Sequence, residues 1–230
     1  MHMLNLKHDI KINLKNEKEV FRLIRLFIFT FILSAALLGI SDYIWNMTLY
    51  RISVWVVPWL VAIPAIINCV ERKVNLKELL GNHILFQVLV GAAIGTAMAV
   101  IWDIVYLMIG GAKPLYYDFS IGINVQRLAR YIFVTGITEE LIYRIAIMEQ
   151  LEKVFEKRKV FAPVTANLLF AFSHLFQHGW DNVILTLFVG GVFTLSAYKW
   201  KRCGFVMLAV MHGMFDFMTH FVTGLIVTFT

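Results

Sequence analysis

The residues of this chain that can move protons or hold charge inside apolar sequence fall into three groups. They are Glu139, Glu140 and Arg144, then His174, then His212 and Asp216. Glu140 and Arg144 stand four apart and share a helix face, so they can pair. Glu139 points about 100° away and faces something else. One compensated and one uncompensated carboxylate suggest a structural acid beside a working one, suited to general acid–base chemistry. His212 and Asp216 are also four apart. In that register Asp216 accepts a hydrogen bond from His212, which fixes the tautomer and aims the other ring nitrogen elsewhere. His178 and His220 continue two of these stripes towards helix ends, where an interfacial place without catalytic duty is expected.

Each group taken alone has a bland reading. Glu140 and Arg144 could simply lock two helices together, and a lone membrane histidine is as often an interhelical hydrogen bond as a working group. A charged side chain at membrane depth nevertheless costs from about 2.5 to more than 10 kcal/mol, and it survives when paired, hydrated or in use. A proton relay would use the same residue types. So would a divalent metal such as zinc, with Glu139, His174 and His212 as ligands. The zinc-protease His-Glu-x-x-His helix and the Gly-x-Ser-x-Gly serine elbow are both missing from the sequence.

The elements that must carry these groups are membrane helices. The 230 residues are 60% hydrophobic and 16% charged, well to the apolar side of soluble domains at about 25% charged. Apolar runs near 21–40, 52–70, 84–109, 131–151, 160–178, 182–198 and 204–229 approach or exceed the length that spans a bilayer. The expectation is an all-α, polytopic bundle of about seven to eight transmembrane helices. Residues 1–20 form a basic cytoplasmic tail and 21–230 a single transmembrane domain. Pro58 and Pro64 should kink the second run. Gly91-x-x-x-Gly95 should let the third approach a neighbour closely. Asp103 is expected near the end of that run, facing water, and Gly110 to Pro114 should break the chain there.

The net charge of +6 does not point to nucleic acid, because the cations are spread over several short loops. Lys7 to Arg25, Arg72 to Lys77, Lys153 to Lys159 and Lys199 to Arg202 alternate with sparsely basic loops that hold Arg51, Lys113, Arg127 and Arg130. That asymmetry predicts a multi-pass protein of the cell membrane with its N-terminus in the cytoplasm. Arg127 and Arg130 should snorkel to headgroups on the far side. Cys69 and Cys203 belong to no ligand cluster and are expected as free thiols. No cleavable signal peptide is evident, because the basic segment before the first run is too long for one.

Taken together, Glu139-Glu140-x-x-x-Arg144, Phe170-x-x-x-His174 and His212-x-x-x-Asp216 resemble the three-motif signature of the CPBP family. That family groups CAAX prenyl endopeptidases with bacteriocin-processing and bacteriocin-immunity proteins. The resemblance covers about residues 125–225. It implies intramembrane proteolysis: Glu139 and His174 activate a water, His212 with Asp216 stabilises the oxyanion, and Glu140 with Arg144 holds the site together. Prenyl endopeptidases commonly have asparagine where this chain has Asp216. An ionised aspartate accepts hydrogen bonds but cannot donate one, which leaves His212 as the better oxyanion donor.

The expected function is an endopeptidase acting on a membrane-associated or lipidated peptide or protein. Its partners are membrane lipids and that substrate, and no metal is obligatory because Glu139 can serve as the base. Two other classes compete. One is a non-enzymatic immunity protein that binds a bacteriocin or its receptor. The other is an ion or proton transporter, which the lack of an internal repeat disfavours.

Overall fold

A computed structural model describes residues 17–41, 47–108, 117–155, 158–200 and 202–229. The basic tail before residue 17, the break at Gly110 to Pro114, Lys113 and the side chains of Arg51 and His178 lie outside the described residues. Within them the chain is all helix: α1 Glu17–Ser41, α2 Met47–Glu71, the short α3 Leu76–Leu80, α4 Ile84–Met108, α5 over 121–154, α6 Phe161–Ser173, α7 Leu175–Lys199 and α8 Phe205–Phe229. Helices satisfy their own backbone groups, which lipid cannot do. Among the described residues, four stretches are long and apolar enough to cross a membrane: Ile52–Glu71, Ile84–Met108, Asn182–Lys199 and Phe205–Leu225. Their outward faces carry large apolar side chains such as Leu85, Leu89, Ile101, Phe188 and Leu195, all exposed. Lipid is the solvent such a surface fits. The chain is an all-α integral membrane protein.

α4 and α8 form the closest helix pair. α4 buries Gln87, Gly91, Gly95, Ala99 and Asp103, one residue every four, along a single narrow stripe. A Cβ on Gly91 would lie 2.7 Å from Met207 O, and one on Gly95 would lie 2.3 Å from Met211 O. Asp103 meets Thr223 further along. These pairings advance together, so the two helices run parallel. Small residues permit this approach where lipid supplies no hydrophobic drive between helices. Gln87 pins the near end. Its Nε2 donates to Leu80 O and Asn82 O, both at 2.9 Å, and its Oε1 accepts from Met207 N at 3.2 Å. One side chain thus closes the α3–α4 turn and satisfies a donor in the first turn of α8. Asp103, expected to face water, instead lies in the α4–α8 seam with 3% exposure.

α5 is one unbroken helical run in which the hydrogen-bond pattern changes four times. α-Helical turns at Ile121–Arg130, Ile137–Glu140 and Glu149–Val154 alternate with π-helical stretches at Tyr131–Gly136 and Leu141–Met148. The wider i→i+5 pattern is rare and concentrates at functional sites. Here it brackets the turn that carries Glu139 and Glu140. At the end with the basic loops, Arg72 donates to Ile145 O at 3.1 Å and pairs with Glu149. Gln150 Nε2 donates to Glu19. These contacts tie α1, α2 and α5 together.

The run expected at 160–178 ends early. α6 stops at Ser173 and the chain turns at His174. Ser173 Oγ and His174 Nδ1 both donate to Phe170 O, at 2.7 and 2.9 Å. His174 N turns to Ala171 O instead. Side chains have taken the carbonyl that the next helical turn would use, so the helix ends without a glycine or proline. Cys69 and Cys203 are free thiols.

Candidate functional site

α5, the turn after α6, and α8 bring Glu139, Glu140, Arg144, His174, His212 and Asp216 to one place. Two glycines make this approach close. A Cβ on Gly136 of α5 would lie 2.3 Å from Ala209 O, and one on Gly213 of α8 would lie 2.6 Å from Ile132 Cα and 2.7 Å from Ile132 N. With backbone against backbone, Glu140 reaches His212 directly: His212 Nδ1 donates to Glu140 Oε1 at 2.8 Å. The same oxygen lies 3.1 Å from Arg144 Nη1. Arg144 Nη2 donates to Gly190 O at 3.2 Å, and its guanidinium lies 4.2 Å from the Phe170 ring centroid. Glu140, Arg144 and His212 are all buried.

The spacing of His212 and Asp216 predicts that Asp216 orients His212, and the structure corrects this. Asp216 Oδ2 is 3.7 Å from His212 Nε2, beyond hydrogen-bond length. Glu140, on another helix, takes the orienting role at Nδ1. The acid that pairs Arg144 therefore also holds the ring of His212 and aims Nε2 outward.

Nε2 of His212 points towards Glu139. It lies 3.7 Å from Glu139 Oε2, and His174 Nε2 lies 3.8 Å from the same oxygen. His174 is turned by its bond to Phe170 O: a carbonyl only accepts, so Nδ1 carries the proton and the neutral ring presents Nε2 as its acceptor. Glu139 Oε2 is buried and, among the described residues, has no hydrogen-bond partner. The Glu139 side chain keeps 27% exposure while that of Glu140 keeps none. One glutamate is thus locked in the framework, and the other opens into a polar niche with two imidazole nitrogens and Asp216 around it.

Those gaps suit a water better than an ion. Two ligands on a tetrahedral zinc at 2.0–2.1 Å stand about 3.3 Å apart. The donor types would serve zinc, but among the described residues no three His, Cys, Asp or Glu side chains converge closely enough to hold an ion. The ligand set Glu139, His174 and His212 therefore does not fit a metal as these side chains stand. A water between Glu139 Oε2 and either imidazole Nε2 can reach both atoms at hydrogen-bond length.

Phe170, the first residue of the Phe170-x-x-x-His174 motif, is the hub of the site. Its ring contacts Arg144, His174 at 4.9 Å and His212 at 5.8 Å between centroids. Gly190 makes room for it: a Cβ there would lie 2.6 Å from Phe170 Cδ1. Arg127 and Arg130 lie over the rings of Tyr117 and Tyr131. His220 stacks on Tyr131 and is exposed. Gly213→Ala is expected to push α5 from α8 at a cost of about 1–3 kcal/mol, and to lengthen the Glu140–His212 bond. A lower melting temperature in detergent together with reduced activity checks this.

Residues 122–218 match the family model described as type II CAAX prenyl endopeptidase, Rce1-like. No curated protein and no solved structure matches the chain.

Proposed function

We propose that this chain, whose residues 122–218 match the model of Rce1-like type II CAAX prenyl endopeptidases, is a CAAX-type intramembrane protease that hydrolyses a peptide bond in a membrane-associated or lipidated peptide with Glu139 as general base. The observation that carries this reading is the buried Glu139 Oε2, without a hydrogen-bond partner among the described residues and faced by two imidazole Nε2 atoms at 3.7 and 3.8 Å.

A water held there gives a proton to Glu139 as its oxygen attacks the scissile carbonyl carbon. His174, with Nδ1 committed to Phe170 O, accepts from that water and orients its lone pair. As the C–O bond forms, the carbonyl π electrons move to oxygen. His212 Nε2–H, with Nδ1–H held by Glu140, donates to this oxyanion. Asp216, with Oδ2 3.7 Å from His212 Nε2, places a further acidic oxygen at the edge of the niche without a direct hydrogen bond to the ring. Collapse of the tetrahedral intermediate breaks the C–N bond, and Glu139 returns its proton to the leaving amine.

We place the N-terminus in the cytoplasm on the distribution of basic loops. Membranes carrying the wild-type protein should release defined peptides from a mixed library of prenylated and leader-type substrates, read by mass spectrometry. Cleavage should persist in a chelator, since no step draws on a metal. Loss of cleavage with chelator, restored by zinc, would replace this mechanism with a metal-dependent one. No release by wild type from a broad library would favour a binding role instead.

A further inference from the structure

A hydrolase inside a membrane must import one water per turnover, and α8 carries a polar stripe that can bring it. At 100° per residue, His212, Thr219 and Thr223 fall within about 40° of one another, and Asp216 lies within about 60° of all of them. The stripe runs about 10.5 Å from Asp216 to Thr223 at 1.5 Å per residue. It leads from the site to the end of the bundle where α4 and α8 both finish. Asp103 of α4 faces its far part, with Thr223 Oγ1 donating to Asp103 Oδ1 at 3.4 Å.

Two of these groups are unsatisfied. Asp103 Oδ2 and Thr219 Oγ1 are buried and have no hydrogen-bond partner among the described residues. A dry carboxylate oxygen in a lipid-facing bundle is costly, and buried polar atoms in this position are ordinarily paired with water. Nothing in helix packing requires an acid there: Gly91, Gly95 and Ala99 fill the same seam with no polar side chain at all.

We propose that Asp103, Thr219 and Thr223 hold a file of water that reaches Asp216 from the C-terminal end of α8, and that the hydrolytic water enters along it. The supply role rests on the hydrolase reading; the hydration does not. Asp103 and the two threonines are positioning residues, since they touch the incoming water and not the scissile bond.

Hydration is read first, by thiol chemistry on the full chain in liposomes. In a Cys69→Ala, Cys203→Ala background, Thr219→Cys and Thr223→Cys are treated with a charged methanethiosulfonate reagent. Ile101→Cys, on the lipid-facing side, and Ala99→Cys, in the dry part of the seam, are the references. The stripe positions are expected to react at least about tenfold faster than either reference, because the reagent travels only through water. Equal rates would overturn the proposal.

Turnover is read second. Thr219→Val is expected to lower kcat about tenfold with KM unchanged within about twofold, and Thr219→Ser to restore it. A merely structural threonine would not give that split with serine rescue. Fast labelling with an unchanged kcat in Thr219→Val would overturn the supply role. A wild type without hydrolase activity would sink the functional reading, while the labelling rates would still decide the hydration.

Discussion

Glu139→Ala is expected to lower kcat/KM by about 10³-fold, within the range that a positioned acid–base group contributes. Abundance and thermal stability should stay near wild type. The two parts go together because of where Glu139 sits. Its side chain keeps some exposure, accepts no hydrogen bond through Oε2 among the described residues, and forms no contact with Arg144 short enough to count as an ion pair. Removing it takes away the base and strands no buried partner. Glu139→Gln should be as inactive, because an amide keeps the shape but cannot take the proton. His174→Ala should fall less far, since it removes an orienting acceptor and leaves the base. The measurement is peptide release from membranes matched for protein. Full activity in Glu139→Ala would end the general-base assignment, and activity lost only along with expression would make Glu139 structural.

The local half of this site was legible in the chain and the long-range half was not. Glu140 and Arg144 are four residues apart, and a helical period puts them on one face. The bond from His212 to Glu140 joins residues 72 positions apart, so a spacing argument sees only Asp216 and assigns it the orienting role. The two histidines become equivalent only in space, each with Nδ1 anchored and Nε2 aimed at Glu139. The end of α6 at Ser173 is equally silent in the sequence. Apolar residues continue past it, and the break comes from two side chains that capture one carbonyl. The alternating π segments of α5 leave no mark in the hydrophobic pattern. Asp103 was better marked than it seemed: it continues the four-residue series Gly91, Gly95, Ala99, and a residue on that stripe belongs in the seam. Gly136 and Gly213 carried a signal too, each within three residues of a site side chain.

Glu140→Ala is expected to be the most damaging single change to the fold. It leaves Arg144, with 1% of its side chain exposed, without its counter-charge, and it takes the acceptor from His212 Nδ1. Breaking a buried pair by removing one partner costs about 3–5 kcal/mol, a large fraction of the roughly 5–15 kcal/mol that holds a domain of ordinary stability. Stability and catalysis can then be separated by the second partner. Glu140→Ala with Arg144→Met removes both charges, and apolar replacement of a whole buried pair is often neutral or better. The double variant should regain most of the melting temperature lost by the single one. It should stay inactive, because nothing then holds the His212 ring with Nε2 facing Glu139. Glu140→Gln completes the cycle. Its amide oxygen still accepts from His212, so it should retain more activity than the double variant while being less stable. If the double variant recovers activity along with stability, Glu140 serves only to balance Arg144, and His212 is oriented by some other contact. If neither recovers, the Arg144 contacts with Gly190 O and the Phe170 ring matter more to the fold than its charge does.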